Sequence, residues 1–165
     1  MIKKAICGVL KLGVICLVFV ACKQNNELAN TTNLAENEAQ FTAVLQKHLD
    51  AVTNKDLKTL ESTMAPNGKM ELIQPSSETV YGVDGFMNFH KEWFAVPNWT
   101  FTTKILSKDV GQLIGVATVE IRYQEPERNG KPYFNRMNVS YTLEKFDGQW
   151  YLIKDHASSI EKTQP

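Results

Sequence analysis

From Asn98 onward the chain alternates apolar and polar residues, broken only at Asp109 to Gly111, Asn129-Gly130 and Asp147-Gly148. Asn-Gly and Asp-Gly pairs reverse a chain within two residues, so the stretches between them are strands of an antiparallel meander. A four-strand meander with period-two alternation has one apolar face, and its register is the pairing that gathers that face. Trp99, Phe101, Thr103 and Ile105 are expected opposite Ile121, Val119, Ala117 and Gly115, and these in turn opposite Met137, Val139, Tyr141 and Leu143. The Asp147-Gly148 turn then sets Trp150 opposite Lys145, Leu152 opposite Leu143, Lys154 opposite Tyr141 and His156 opposite Val139. Glu120, Arg122, Asn138, Ser140, Thr142, Glu144 and Asp155 fall on the other side. A sheet with one apolar face needs a second layer.

That layer is encoded upstream. Phe41, Val44, Leu45, Leu49 and Val52 recur at helical spacing between Glu36 and Asn54. Asp56 is placed to cap a short second helix carrying Leu57, Leu60 and Met64, which Pro66-Asn67-Gly68 stops. Residues 70–73 and 79–81 read as short extended pieces. Helical spacing returns from Gly82 to Ala95 with Phe86, Phe89, Trp93 and Phe94, and Asp84 is the expected cap. Three helices followed by a long bent sheet make an α+β domain over residues 36–160, with a gap at the open end between helices and sheet as the functional candidate.

The N-terminus constrains location. Lys3 and Lys4 precede a mostly apolar run from Ala5 to Val20 that ends in Ala21-Cys22, the layout of a secretory signal closed by a lipobox-like site. This resembles the bacterial lipoprotein pattern, which implies removal of residues 1–21, diacylation of Cys22 and attachment to the cell envelope, at the periplasmic face or cell surface. The polar run over residues 22–35 reads as a flexible tether, and residues 161–165 as a disordered end. Loss of Lys3, Lys4 and Lys11 from eighteen basic residues, against eighteen acidic ones, leaves a mature charge near minus three. Nucleic acid is not an expected partner, because the electrostatic term that binds phosphate backbones is missing. Cys7 and Cys16 lie in the leader and only Cys22 survives it, so no disulfide framework exists.

The folded part resembles the nuclear-transport-factor-2-like superfamily, especially its SnoaL-like and DUF4440-type bacterial members. The resemblance is carried by residues 49–57 joining the first two helices, by Tyr81-Gly82-Val83-Asp84-Gly85-Phe86 opening the third, and by residues 148–158 on the final strand. It implies a cone with a cavity between helices and sheet, frequent dimers through the outer sheet face, and activities from isomerase to none. In ketosteroid-isomerase relatives the general base and two oxyanion donors fall near Gln74, His48 and Thr142 of this chain. An amide has no useful basicity near neutral pH and a threonine hydroxyl does not replace a protonated acid, so that mechanism is not supported.

Three histidines are the other candidates. His156 is expected on the core face of the last strand, as an acid, a base or a satisfied structural imidazole. His48 and His90 are expected to face the same cavity, but no spacing among the three resembles a metal motif, and neither metal nor cofactor is expected. Trp93, Trp99, Tyr123 and Tyr141, with His90 and His156, are the expected ligand-binding lining, against plain core packing as the alternative. His156, His48 and Tyr141 are the catalytic candidates. Asp155, His156 and Ser158 cannot form a triad, since neighbouring strand residues face opposite sides. Lys154 either reaches the cavity mouth or marks where the face becomes exposed.

These observations carry three functions. The first, and the leading one, is a lipid-anchored, non-catalytic or weakly catalytic binding domain holding a small hydrophobic ligand or a partner. The second is an enzyme using His156 or His48 as acid or base with Tyr141 or Tyr123 as donor. The third is a dimeric interaction module whose cavity is filled and whose outer face presents Ile114, Val116, Tyr151 and Ile153.

Overall fold

A computed structural model of the chain describes the backbone of residues 13–164 and the side chains of residues 33–164. Most of the expected leader and the side chain of Cys22 lie outside the described residues. Helix α1 (Gly13–Thr53) takes in the polar run read as a tether, and the folded unit begins at Asn37. Among the described residues no helix is long and apolar enough to cross a membrane.

The apolar stripe of α1 is buried as its spacing dictates: Phe41, Leu45 and Leu49 are fully covered. Helix α2 (Leu57–Glu61) starts at Asp56, whose carboxylate accepts from the Thr59 backbone N–H at 3.0 Å and from its hydroxyl at 2.6 Å. The helix ends before Met64, which pairs as an isolated parallel bridge with Leu152 instead of extending the apolar stripe. Strands β1 (Glu71–Ile73) and β2 (Thr79–Tyr81) form a small hairpin that leads into α3 (Gly82–Ala95). Asp84 is not the cap of α3. Tyr81 occupies that position, and Asp84 lies in the first turn, where a carboxylate favours the positive end of the helix dipole.

Strands β3 (Thr100–Val110), β4 (Ile114–Arg128), β5 (Lys131–Phe146) and β6 (Gln149–Lys162) are the expected meander. With the first hairpin they make a six-stranded mixed sheet ordered β2-β1-β6-β5-β4-β3, in which β1 runs parallel to β6. The Asn129-Gly130 and Asp147-Gly148 turns both hold two consecutive positive φ angles, 56° and 81° in one, 48° and 80° in the other. That is the geometry whose twist matches the flanking strands. Gly148→Val should therefore cost about 1–2 kcal/mol through backbone strain, because an added Cβ would meet nothing within 4 Å. The urea midpoint, at unchanged m-value, reads this loss.

Register follows expectation at the centre of the sheet and departs at its two flanks. Ile121, Val119, Ala117 and Gly115 pair with Met137, Val139, Tyr141 and Leu143 as expected. Between β3 and β4 the pairing slips: Phe101 faces Tyr123, Thr103 faces Ile121 and Ile105 faces Val119. The expected turn at Asp109 to Gly111 continues as strand to Val110, and the reversal is closed by the Gly111 N–H to the Ile114 carbonyl at 2.9 Å. The slip is four residues, an even number, so the inward face is preserved. Between β5 and β6 the change has larger consequences. Leu152 faces Leu143 as expected, but Lys154 then faces Thr142 and Asp155 faces Tyr141. One extra residue in β6 forms a bulge, Leu152 and Ile153 are both buried, and the side chains from Lys154 to Ser159 change sides, until a second shift between Ser159 and Glu161. Ile153 is thus no part of an outer face. β6 also runs past residue 160 to Lys162, and Thr163 donates to the Phe134 carbonyl at 3.0 Å, in place of the disordered end expected from 161.

Candidate functional site

Between α3, the end of α1 and the concave sheet lies a cavity of about 480 Å³, so the cone is not filled. Its walls are aliphatic and aromatic, with Val52 from α1, Phe89 and Trp93 from α3, and Ile121, Met137 and Val139 from the sheet. Trp93 is held by Trp99, which stacks on it at 4.6 Å and 10° and donates its indole N–H to the Trp93 carbonyl at 3.1 Å. Lys55 covers the Trp99 ring at 4.1 Å. Trp99 therefore buttresses the wall without lining it.

At the inner end Asp155 and Tyr141 stand directly opposite each other on β6 and β5, both lining the cavity and both buried. Burial alone pushes the Asp155 carboxyl up to about 7 from 3.8. The Tyr141 hydroxyl is held well above its usual value, first by burial and then by the neighbouring Asp155 carboxylate. His90 also lines the cavity, from α3, packed on Phe86 with ring centroids 4.0 Å apart. Its Nδ1 lies 2.9 Å from the Phe86 carbonyl, which only accepts, so Nδ1 carries the proton and Nε2 keeps the lone pair. Burial lowers His90 to about 4, leaving a neutral imidazole near pH 7. Near neutral pH, then, the group poised to take and return a proton is the carboxyl of Asp155.

His48 is buried behind this wall and does not line the cavity. The Thr63 hydroxyl donates to the Leu60 carbonyl at 2.6 Å, so His48 Nδ1 must donate to Thr63 Oγ1 at 2.9 Å. Burial, and secondarily His90, lowers its pKa to about 3. This imidazole is a neutral strut between α1 and the segment after α2, and its ring packs edge-on against Tyr141 at 5.6 Å.

The mouth is polar. The Tyr123 hydroxyl donates to Glu125, which also receives Arg128 through both Nε and Nη2. The Arg128 guanidinium lies 3.5 Å over the Tyr133 ring. The paired Arg128 holds Glu125 below the usual carboxylate range, and burial followed by the bond to Glu125 pushes Tyr123 up to about 12.

Of the residues expected at the site, Trp93, Tyr123, Tyr141 and His90 line the cavity. His156 does not. The β6 bulge turns it to the exposed outer face, where it pairs with Ser140. No triad forms even so, since Asp155 now points inward and His156 outward. Lys154 is likewise on the outer face, in an ion pair with Glu71 at 3.1 Å. Sequence reasoning missed Asp155 for the same reason, and its trace was available: Leu152-Ile153, two adjacent apolar residues, break the strand's alternation. Asn135, two positions before Met137 on the inner face, was also legible and also missed. Among the described residues no group of three or more His, Cys, Asp or Glu side chains is placed to hold a metal ion.

Comparison with known proteins agrees with this architecture. Hexachlorocyclohexane dehydrochlorinase LinA-type3 from Novosphingobium barchaimii LL02 superposes with a TM-score of 0.70 at 14% identity, over 81% of this chain and 92% of that one. A ketosteroid isomerase-like protein from Erwinia carotovora atroseptica gives 0.63 at 16%, over 74% and 95%. The association domain of C. elegans CaMKII gives 0.57 at 21%, over 76% and 97%. At these identities the likeness is one of fold. No curated protein matches the sequence. The SnoaL-like domain family matches residues 41–161, most of the chain and all of the elements that build the cavity. The chain therefore belongs to the SnoaL-like family, with the nuclear-transport-factor-2-like cone that the resemblance implied.

Proposed function

We propose that this protein binds a small, largely apolar or aromatic molecule in its cone and moves a proton on it with Asp155. The observation that carries the reading is an open apolar cavity lined by a buried carboxyl, by Tyr141 directly opposite it, and by His90. Apolar walls supply affinity without direction, while the few polar groups orient the ligand. A carboxyl pushed up to about 7 exchanges its proton near neutral pH, and the Tyr141 hydroxyl beside it is a donor that stays protonated. The dehydrochlorinase and isomerase-like neighbours support proton chemistry only in that they use the same fold.

Native mass spectrometry of the purified protein is expected to show a retained small molecule, released on denaturation. Asp155→Asn should keep that molecule and lose at least a hundredfold in turnover of any substrate found for it. If Asp155→Asn turns over as well as the natural chain, Asp155 is not the proton-transfer group; if the retained molecule is bound but not converted, the protein is a binding module alone.

Localisation belongs to the same proposal: lipid on Cys22 anchors the domain to the cell envelope. The reading is supported by the basic start, the apolar run and Ala21-Cys22. Metabolic labelling with an alkyne fatty acid should mark the natural chain and not Cys22→Ser. A homodimer through the outer sheet face is supported by the exposed Leu113, Ile114 and Val116, and by the association-domain neighbour.

A further inference from the structure

The mouth of the cavity holds one polar group that its surroundings do not use. Asn135 on β5 is 7% exposed and lines the cavity, yet its buried Oδ1 has no hydrogen-bond partner. Its cross-strand neighbours are Tyr123 on β4 and Lys162 on β6. The Tyr123 hydroxyl is already given to Glu125, and Arg128 is committed to Glu125 and the Tyr133 ring. The mouth network thus closes on itself and leaves the Asn135 Oδ1 buried in the cavity wall without a donor.

A buried acceptor without a donor is a cost to the fold, and it becomes a source of affinity and selectivity when a ligand brings the donor. We infer that Asn135 is a second polar anchor, which selects an elongated ligand carrying an O–H or N–H donor at its mouth end. Its other polar end meets Asp155 and Tyr141. The inference rests on the cavity reading above and adds the ligand's second functional group and its length. Asn135 and Tyr141 are six residues apart on one strand of the curved sheet, so the two polar groups stand at separate positions along the cavity wall. Between the two poles the sheet floor is Met137 and Val139, so the ligand's middle is apolar. A two-ring aromatic body with a hydroxyl at each end has this character; a compact molecule with a single polar group reaches one pole only.

Three probes test the assignment by quenching of tryptophan fluorescence: 4-phenylphenol, 4,4′-dihydroxybiphenyl and 4-hydroxy-4′-methoxybiphenyl. The second hydroxyl should tighten binding about tenfold or more over 4-phenylphenol. The methoxy compound, which accepts but does not donate, should gain nothing. Asn135→Leu should lose the preference for the diol over 4-phenylphenol. The ligand series on the natural chain stands without the variant, so a poorly folding Asn135→Leu protein does not shield the inference. Equal affinity for 4-phenylphenol and the diol overturns it and leaves the cavity reading intact. Tight binding of the methoxy compound overturns the donor requirement. If none of the three binds, the cavity reading falls and this inference with it.

Discussion

At pH 8 the Asp155→Asn protein is expected to be more stable than the natural chain by about 4 kcal/mol, and at pH 4 the two should be nearly equal. Folding raises the Asp155 pKa from 3.8 to about 7. A group raised in the folded state contributes fully below its unfolded pKa, and the contribution is lost as pH rises through the folded one. The window therefore runs from about pH 4 to about pH 7, and about 1.4 kcal/mol per unit gives the magnitude. Above it the natural chain carries an ionised carboxylate that burial penalises, while the amide is neutral at every pH. His48 and His90 tilt stability the other way. Their folded values of about 3 and about 4 lie below 6.5, so both proteins weaken as pH falls beneath that point, and the contribution cancels in the difference. Urea midpoints of the two proteins at pH 4, 6 and 8 check this. A difference that does not change with pH would show that Asp155 is solvated and not part of a buried site.

Phe41→Ala should cost about 3–5 kcal/mol. Phe41 is fully buried and meets Trp150 edge-on at 5.4 Å, and its ring occupies the space that Gly115 leaves open. A Cβ on Gly115 would lie 2.5 Å from the Phe41 ring, so helix and sheet approach as closely as the missing side chain permits. Gly115→Ala should therefore also destabilise, by about 1–3 kcal/mol. The double variant should lose less than the two single losses together, because the alanine methyl enters the void that the ring leaves. Full additivity in denaturation midpoints would mean that ring and glycine do not share this contact.

The contrast between Ile121 and His156 shows what was legible in the sequence. Ile121, Val119 and Ala117 sit mid-strand in regular alternation, and their pairing with β5 was readable because a slip by one residue would expose them all. The same alternation placed Tyr123 and Tyr141 at the cavity, and helical spacing placed Trp93. His156 was misplaced because period-two counting carries no information about an added residue. The choice between a regular strand and a bulge after Leu152 is made by packing, where Leu152 and Ile153 both find buried positions. The polarity of the site was beyond the reach of the pattern for a related reason. What makes Asp155 notable is its burial, a property of the whole enclosure and not of its sequence neighbours.

The irregularity in β6 acts as a selector for the chemistry offered to the cone. Downstream of it, adjacent side chains trade places whenever the count changes by one, so excising a single residue there would withdraw the acid and present the imidazole of His156 instead. Chains that share this scaffold can thus exchange one proton-transfer group for another through a length change in the closing strand, without replacing either group. Matching their functional residues by position requires counting from that kink and not from the turn before it.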